Sequence, residues 1–297
     1  MRHLLIALSL LAALTASAKV NVVASIGDLG ALAREVGGDK VDVKVLSAPT
    51  EDPHFVDAKP DRILMVSRAD LLVFNGMELE IGWLPVLVTN SRNERVQVGG
   101  PGYLDASTLV SPKEVPLQKL DRSMGDIHPG GNPHYTKDPR NAVKVAQGIA
   151  AKLAELDPKN AAVYRANAAR FEADLNARIA AWERALAPYK GTPIVTYHKS
   201  WIYFVEWAGL NEVAFIEPKP GLPPSTGHVT NLFGVIRAQK VPIILQEQWY
   251  SASTSELLAK NTGARVVKVP GMTGLNQRYA DGFNDLVVAV VKGLANK

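Results

Sequence analysis

From residue 20 onward the chain alternates short, almost continuously apolar runs with longer stretches whose apolar positions recur every three to four residues. Residues 20–25, 41–46 and 71–74 are runs of the first kind, rich in β-branched side chains, and read as strands. Between them, the stretch through residues 31–36 reads as a helix stopped by Gly37 and Gly38, and residues 60–69 as a helix with Pro60 at its favoured first position. Asn75 and Gly76 end the third strand. Strands apolar on both faces belong in a parallel sheet covered by helices on both sides, because only there is every side chain buried.

The pattern changes after Asp138-Pro139. Residues 140–156 read as a helix, interrupted at Asp157-Pro158. From Lys159 to Ala187 there is neither glycine nor proline, and Ala, Arg, Glu and Leu dominate. This stretch reads as one helix, roughly 40 Å long at the α-helical rise, ended by Pro188 and Gly191. A second alternating block follows, with strands predicted at 193–197, 213–216, 242–247 and 265–269 and helices at 200–208, 228–240, 253–261 and 281–294. The expected architecture is α/β: a lobe over 19–140, a helical segment over 141–190 and a second lobe over 191–297, with mostly parallel sheets and a binding cleft between the lobes. A single rigid connecting helix predicts little movement of one lobe against the other.

Composition narrows the setting. A basic start (Met1, Arg2, His3), an apolar stretch from Leu4 to Leu14 and the small-residue pattern Ala16-Ser17-Ala18 predict a signal peptide cleaved after Ala18. The apolar stretch is shorter than the roughly 20 residues that span a bilayer. The sequence contains no cysteine, so disulfides are excluded and no thiol stands at the cleavage point to take a lipid anchor; a freely diffusing, monomeric periplasmic protein is expected. The net charge is +4, with its basic residues dispersed, which argues against nucleic acid as a partner.

The candidate chemistry lies in the histidines, of which the chain has six. Three occupy similar loop contexts: His54 in Asp52-Pro53-His54, His134 in Gly131-Asn132-Pro133-His134, and His198 directly after Val195-Thr196-Tyr197. Ligands of open parallel sheets collect beyond the carboxyl ends of the strands. His54 and His198 both follow predicted strands, Glu247 closes another, and His134 lies in the segment leaving the first lobe. Neutral imidazole is a common ligand for zinc and related metals. Taken singly, a loop histidine is more often a solvated or turn-stabilising residue than a metal ligand, the spacing matches no local zinc motif, and Glu247 also suits pairing with a lysine or orienting a histidine. His128 suits a ligand as well as a lid or supporting residue; His228 reads as surface. Trp201, Tyr203, Trp207, Trp249 and Tyr250 are explained by core packing. No His-Glu-x-x-His helix and no nucleophile elbow is present, so catalysis is not expected.

Asp52-Pro53-His54, the run from Gly125 to His134, Asp138-Pro139, Tyr197-His198, Glu217-Pro218 and Gln246-Glu247 together resemble the zinc- and manganese-binding solute-binding proteins of ABC transporters, over essentially the whole chain after the signal peptide. The Gly-Asn-Pro-His stretch is the most specific of these motifs. The resemblance implies two α/β lobes on a rigid backbone helix, a metal ion held in the cleft by His54, His134 and His198, and delivery to an ABC permease in the inner membrane. It also implies a fourth ligand, usually an aspartate, from a loop after a late strand; here Val269-Pro270-Gly271-Met272 offers no carboxylate. Glu247 is the expected substitute, with Asp281 or water as alternatives. A nitrogen-rich set favours zinc over manganese. The competing readings are a zinc-dependent hydrolase with Glu247 as base, a manganese-binding protein, and a binder of a chelated or organic ligand or of a host surface. Residues 120–131 form a candidate metal-recruiting loop, though one poorer in histidine than such loops in zinc-specific relatives.

Overall fold

Every predicted apolar run becomes a parallel strand in the computed structural model, which describes residues 18–117, 125 and 127–295. The predicted signal peptide, apart from Ala18, lies outside the described residues, as do residues 118 and 119 and residues 120–124 and 126 of the candidate recruiting loop. In the first lobe β1 (Val20–Ala24), β2 (Val41–Val45), β3 (Leu71–Phe74) and β4 (Tyr103–Asp105) form a four-stranded sheet in the order β2-β1-β3-β4. In the second, β5 (Pro193–Thr196), β6 (Asn211–Phe215), β7 (Ile243–Glu247) and β8 (Arg265–Val269) form another in the order β6-β5-β7-β8. All pairings are parallel. Strands β3 and β7 are buried at every position, as strands covered on both faces must be.

The helices are α1 (Gly27–Gly37), α2 (Pro60–Ser67), α3 (Leu84–Ser91), α4 (Pro139–Leu156), α5 (Ala161–Leu186), α6 (Ile202–Ala208), α7 (Thr226–Ala238), α8 (Ser253–Thr262) and α9 (Tyr279–Ala295). Helix α4 starts where Asp138 accepts the Arg140 amide at 3.0 Å and Pro139 takes the first turn. The predicted long helix is α5, 26 residues; residues on either side of it form single 3₁₀ turns at the prolines, Pro158–Asn160 and Ala187–Tyr189. Its buried residues, Tyr164, Ala168, Phe171, Leu175, Ile179, Trp182 and Leu186, fall at steps of three and four and so form one stripe. That stripe packs chiefly on α4, α1 and α9.

Sequence reading did not anticipate α3 or β4. Helix α3 carries Pro85 and a β-branched-rich run, and β4 is only three residues long; neither shows a clear period.

The lobes are joined by more than the helix. One apolar core runs from Val22 and Leu71 of the first sheet through Tyr135, α4 and α5 to Trp201, Ile243 and Phe283 of the second lobe. Smaller cores cover the remaining face of each sheet, around Leu72 and Trp83 in one lobe and Ile244 and Leu258 in the other. Polar ties reinforce the seam. Asp28 of α1 accepts the Thr273 amide at 2.7 Å and its hydroxyl at 2.6 Å, and accepts the Thr136 hydroxyl at 2.7 Å. A Cβ on Gly27 would lie 2.0 Å from the Thr273 carbonyl oxygen, so this approach of the lobes requires glycine. Among the described residues no helix is long and apolar enough to cross a membrane.

Candidate metal centre

The three predicted histidines meet between the lobes. His54, His134 and His198 offer ligand atoms that all lie within 4.8 Å of one another. Their ring centres are 5.3 Å apart for His54 and His134, 5.2 Å for His54 and His198, and 5.5 Å for His134 and His198. Imidazoles bound tetrahedrally to one zinc at 2.0–2.1 Å put neighbouring ring centres about 5 Å apart, so these rings are spaced to share an ion.

Each side chain is aimed by its own local structure. After β2, Leu46 and Ser47 continue the ladder against Ala24 and Ser25, and the chain then turns. Asp52 caps that turn: its Oδ1 accepts the His54 amide at 3.0 Å and His54 Nδ1 at 2.7 Å, a side-chain-closed turn that only Asp or Asn makes readily. The Pro53 carbonyl accepts the Trp83 indole N–H at 2.9 Å, fixing the loop to the core. His198 leaves the end of β5, and its Nδ1 lies 2.7 Å from Oε2 of Glu217, which follows β6. The same oxygen accepts the Gly221 amide at 3.1 Å. His134 is set by Asn132, whose Oδ1 accepts the His134 amide at 3.1 Å while its Nδ2 donates to Lys199 O and Glu114 Oε2, both at 2.9 Å.

An Nδ1–H held by a carboxylate leaves Nε2 as a lone-pair donor, the tautomer a metal requires. Within the described residues, Nε2 of His54 and of His134 is buried without a hydrogen-bond partner. Leaving such atoms unmatched costs on the order of 1–3 kcal/mol each, and a cation offsets that cost. The histidines also differ in how they hold a proton. Burial pushes His134 well below the ordinary imidazole value, and the neighbouring His54 and His198 charges push the same way. Burial also opposes a charge on His198, but the hydrogen bond and charge of Glu217 outweigh it and raise its pKa, helped by Glu247 and Asp52. Asp52 lies below the usual carboxylate value despite burial, because His54 bonds and attracts it.

Glu247 is not brought into the group of mutually close ligand atoms. It is 1% exposed at the end of β7; its Oε1 accepts the Ser200 hydroxyl, and its Oε2 is buried with no partner among the described residues. With His134 and Lys137 it lines a small pocket adjoining the cluster. Asp281 is likewise not in that group: it sits in the first turn of α9 and pairs with Arg178 of α5 at 3.1 Å. The loop after β8 presents Met272, whose Sδ accepts from the Gly27 amide at 3.5 Å and the Ser47 hydroxyl at 3.6 Å, so that loop is spent on the seam between lobes. His228 is half-buried and bonds the Phe215 carbonyl at 3.0 Å, more engaged than the free surface position expected for it. His128 lies beside the cluster, with its ring centre 5.4 Å from that of His54. Trp201 and Tyr203 are fully buried, as core packing requires, and Tyr250 stacks on Tyr197 at 4.3 Å.

Of the supporting groups, Asp52 stood out in sequence because it is two residues from its histidine. The Glu217 bond to His198 and the Asn132 bond to Lys199 join residues distant in sequence, and no local pattern announces them. A cavity of about 320 Å³ lined by His128, His134, His198, Asn132 and Glu217 gives solvent access to the cluster.

The sequence model of the family described as zinc-uptake complex component A, periplasmic, matches residues 22–297. The chain is 25% identical to the iron-binding protein YfeA of Yersinia pestis, over 93% of this chain and 86% of that protein. It is also 25% identical to the manganese-binding lipoprotein MntA of Halalkalibacterium halodurans, over 93% of this chain and 89% of that one. A zinc-bound deletion mutant of ZnuA superposes with a TM-score of 0.77 at 27% identity, covering 94% of this chain and 97% of that one.

Proposed function

The chain belongs to the family of the periplasmic zinc-uptake complex component A, metal-binding solute-binding proteins of ABC importers rather than enzymes, and we propose that its own cargo is zinc, held by His54, His134 and His198. The observation that carries this reading is the convergence of three imidazoles whose ligand atoms all lie within 4.8 Å of one another. Manganese and magnesium sites lean on carboxylate and carbonyl oxygen, whereas imidazole suits zinc, copper and nickel. Relatives named for iron and for manganese make the metal a property of each chain's own donor set, and here that set is nitrogen.

Capture is a competition between an ion and protons. The carboxylates of Asp52 and Glu217 hold the Nδ1–H groups, orient the rings and make Nε2 more basic; the incoming ion displaces whatever proton Nε2 carries. The loaded protein then delivers the ion to a permease in the inner membrane as a freely diffusing periplasmic monomer. The reading is tested by titrating the metal-freed protein with zinc, manganese and ferrous iron in competition with a chromophoric chelator. One zinc per chain, bound more tightly than manganese, is the expected result; weak or sub-stoichiometric zinc overturns the reading, and tighter manganese overturns the choice of metal.

A further inference from the structure

We propose that His128 is the fourth ligand, so that this chain surrounds its cargo with four imidazoles; this rests on the three-histidine site proposed above. Most carboxylate oxygens near the cluster are otherwise engaged. Glu247 takes the Ser200 hydroxyl on Oε1 and faces the positive charge of buried Lys137; its Oε2 has no partner among the described residues, and it stands outside the mutually close group. Asp52 and Glu217 hold the Nδ1 atoms of His54 and His198. Asp281 pairs with Arg178, and after β8 the chain offers Met272 and Thr273, which bond Gly27, Ser47 and Asp28.

His128 combines an unused donor atom with a measured ring spacing to the cluster. Its Nε2 is buried and without a hydrogen-bond partner among the described residues, so a donor atom lies unused beside the cluster. Its other nitrogen bonds the backbone of Met77, which leaves the Nε2 lone pair free as the carboxylates do for His54 and His198. The ring centre is 5.4 Å from that of His54, against 5.3 Å for His134 and 5.2 Å for His198. All three neighbours thus stand from His54 at the separation of about 5 Å that imidazoles sharing one tetrahedral zinc adopt. His128 also lines the same cavity as His134 and His198.

The backbone beneath it is built to hold it. Met77 and Glu78 take positive φ values of 51° and 62°, a conformation that costs non-glycine residues on the order of 1 kcal/mol or more and persists where surrounding structure demands it. Gly130 packs on Met77, where an added Cβ would already touch it at 3.5 Å, so the turn after His128 and the strained turn form one unit. Among the described residues the mutually close group comprises His54, His134 and His198; ligation therefore draws His128 toward the other two as the ion binds. A fourth nitrogen in place of a carboxylate strengthens the preference for zinc over manganese.

The test is X-ray absorption at the zinc edge of the loaded protein, together with zinc and manganese affinities of wild type, His128→Ala, His128→Gln and, as control, His228→Ala. Four imidazoles are expected in the wild type and three plus an oxygen donor in both His128 variants, with zinc affinity reduced about tenfold or more, since losing even a supporting group typically costs 10–100-fold. The ratio of zinc to manganese affinity falls with it, and His228→Ala changes neither. Three imidazoles in the wild type, unchanged affinity in the His128 variants, or a larger loss on Glu247→Gln than on His128→Ala overturns the proposal while leaving the zinc reading intact. Absence of stoichiometric zinc in the wild type overturns the function itself.

Discussion

The two lobes carry parallel four-stranded sheets of equivalent order, β2-β1-β3-β4 and β6-β5-β7-β8, yet they present their histidines by different means. In the first lobe His54 stands in a loop beyond the second strand in sequence, and its carboxylate partner is Asp52, two residues away. In the second, His198 follows the first strand of its sheet almost at once, and its partner Glu217 lies 19 residues further on, after the neighbouring strand. The same scaffold thus supports a histidine aimed by its own turn and one aimed by a contact across the sheet end. His134 belongs to neither sheet and is aimed by Asn132. A local turn can form without the rest of the lobe, whereas the Glu217 contact exists only once β5 and β6 are paired.

The sharpest way to break this comparison is to remove one histidine from each side. His54→Ala, His134→Ala and His198→Ala each delete a ligand, and each is expected to lower zinc affinity about 100-fold or more, beyond the 10–100-fold typical of supporting groups. Competition titration against a chromophoric chelator measures it. A His54→Ala loss below about tenfold, beside a full loss for His198→Ala, would mean that the first lobe contributes shape and no ligand.

Next in size are the carboxylates. Asp52→Asn and Glu217→Gln keep shape while weakening the hold on Nδ1–H, and about 10–100-fold in zinc affinity is expected for each. They separate on pH. Glu217 raises the pKa of His198 above the ordinary 6.5, so in the metal-free protein the proton on His198 persists to higher pH than on a free imidazole. Zinc affinity accordingly starts to fall at a pH above 6.5 as the solution is acidified, by about tenfold per pH unit for each competing proton. Glu217→Gln removes the cause and moves the onset to lower pH. His134, held well below 6.5 chiefly by burial, competes only in stronger acid. An onset that Glu217→Gln leaves in place would show that another group sets it.

The fold was largely legible because strands buried on both faces leave an apolar run that little else produces: β1, β3, β7 and β8 appear within a residue of their predicted bounds. Helix α5 was legible for the complementary reason, an uninterrupted stretch of helix formers between prolines. Within the site, the strand-end rule carried His54, His198 and Glu247 to the seam between lobes, but it specifies a neighbourhood and not a partner. Glu247 sits at the predicted strand end and turns its carboxylate to Ser200; nothing local to either residue announces that bond. Asp281 was a candidate because the resemblance implies a late carboxylate and the last loop could have folded inward to supply one; here it pairs with Arg178. His128 divides the two levels most clearly. Its sequence allowed a ligand or a lid equally, and only the orphaned Nε2 and the spacing from His54 separate them.

The smallest expected effect concerns the lobes themselves. A rigid connecting helix alone would still allow bending at its ends, but the principal core runs unbroken from the first sheet to α9, and Asp28 binds Thr273 and Thr136 across the seam. Opening the cleft would therefore expose continuous apolar surface and unpair a buried carboxylate. Solution scattering of the metal-free and zinc-loaded protein should show radii of gyration within about 1 Å of each other, against an overall value of roughly 19 Å for a chain of this size. Asp28→Asn weakens the tie while leaving the core, and the difference should remain small. A shift of several ångströms on loading would mean that the lobes hinge despite their shared core, and that the cluster in the metal-free protein is assembled by closure rather than held ready.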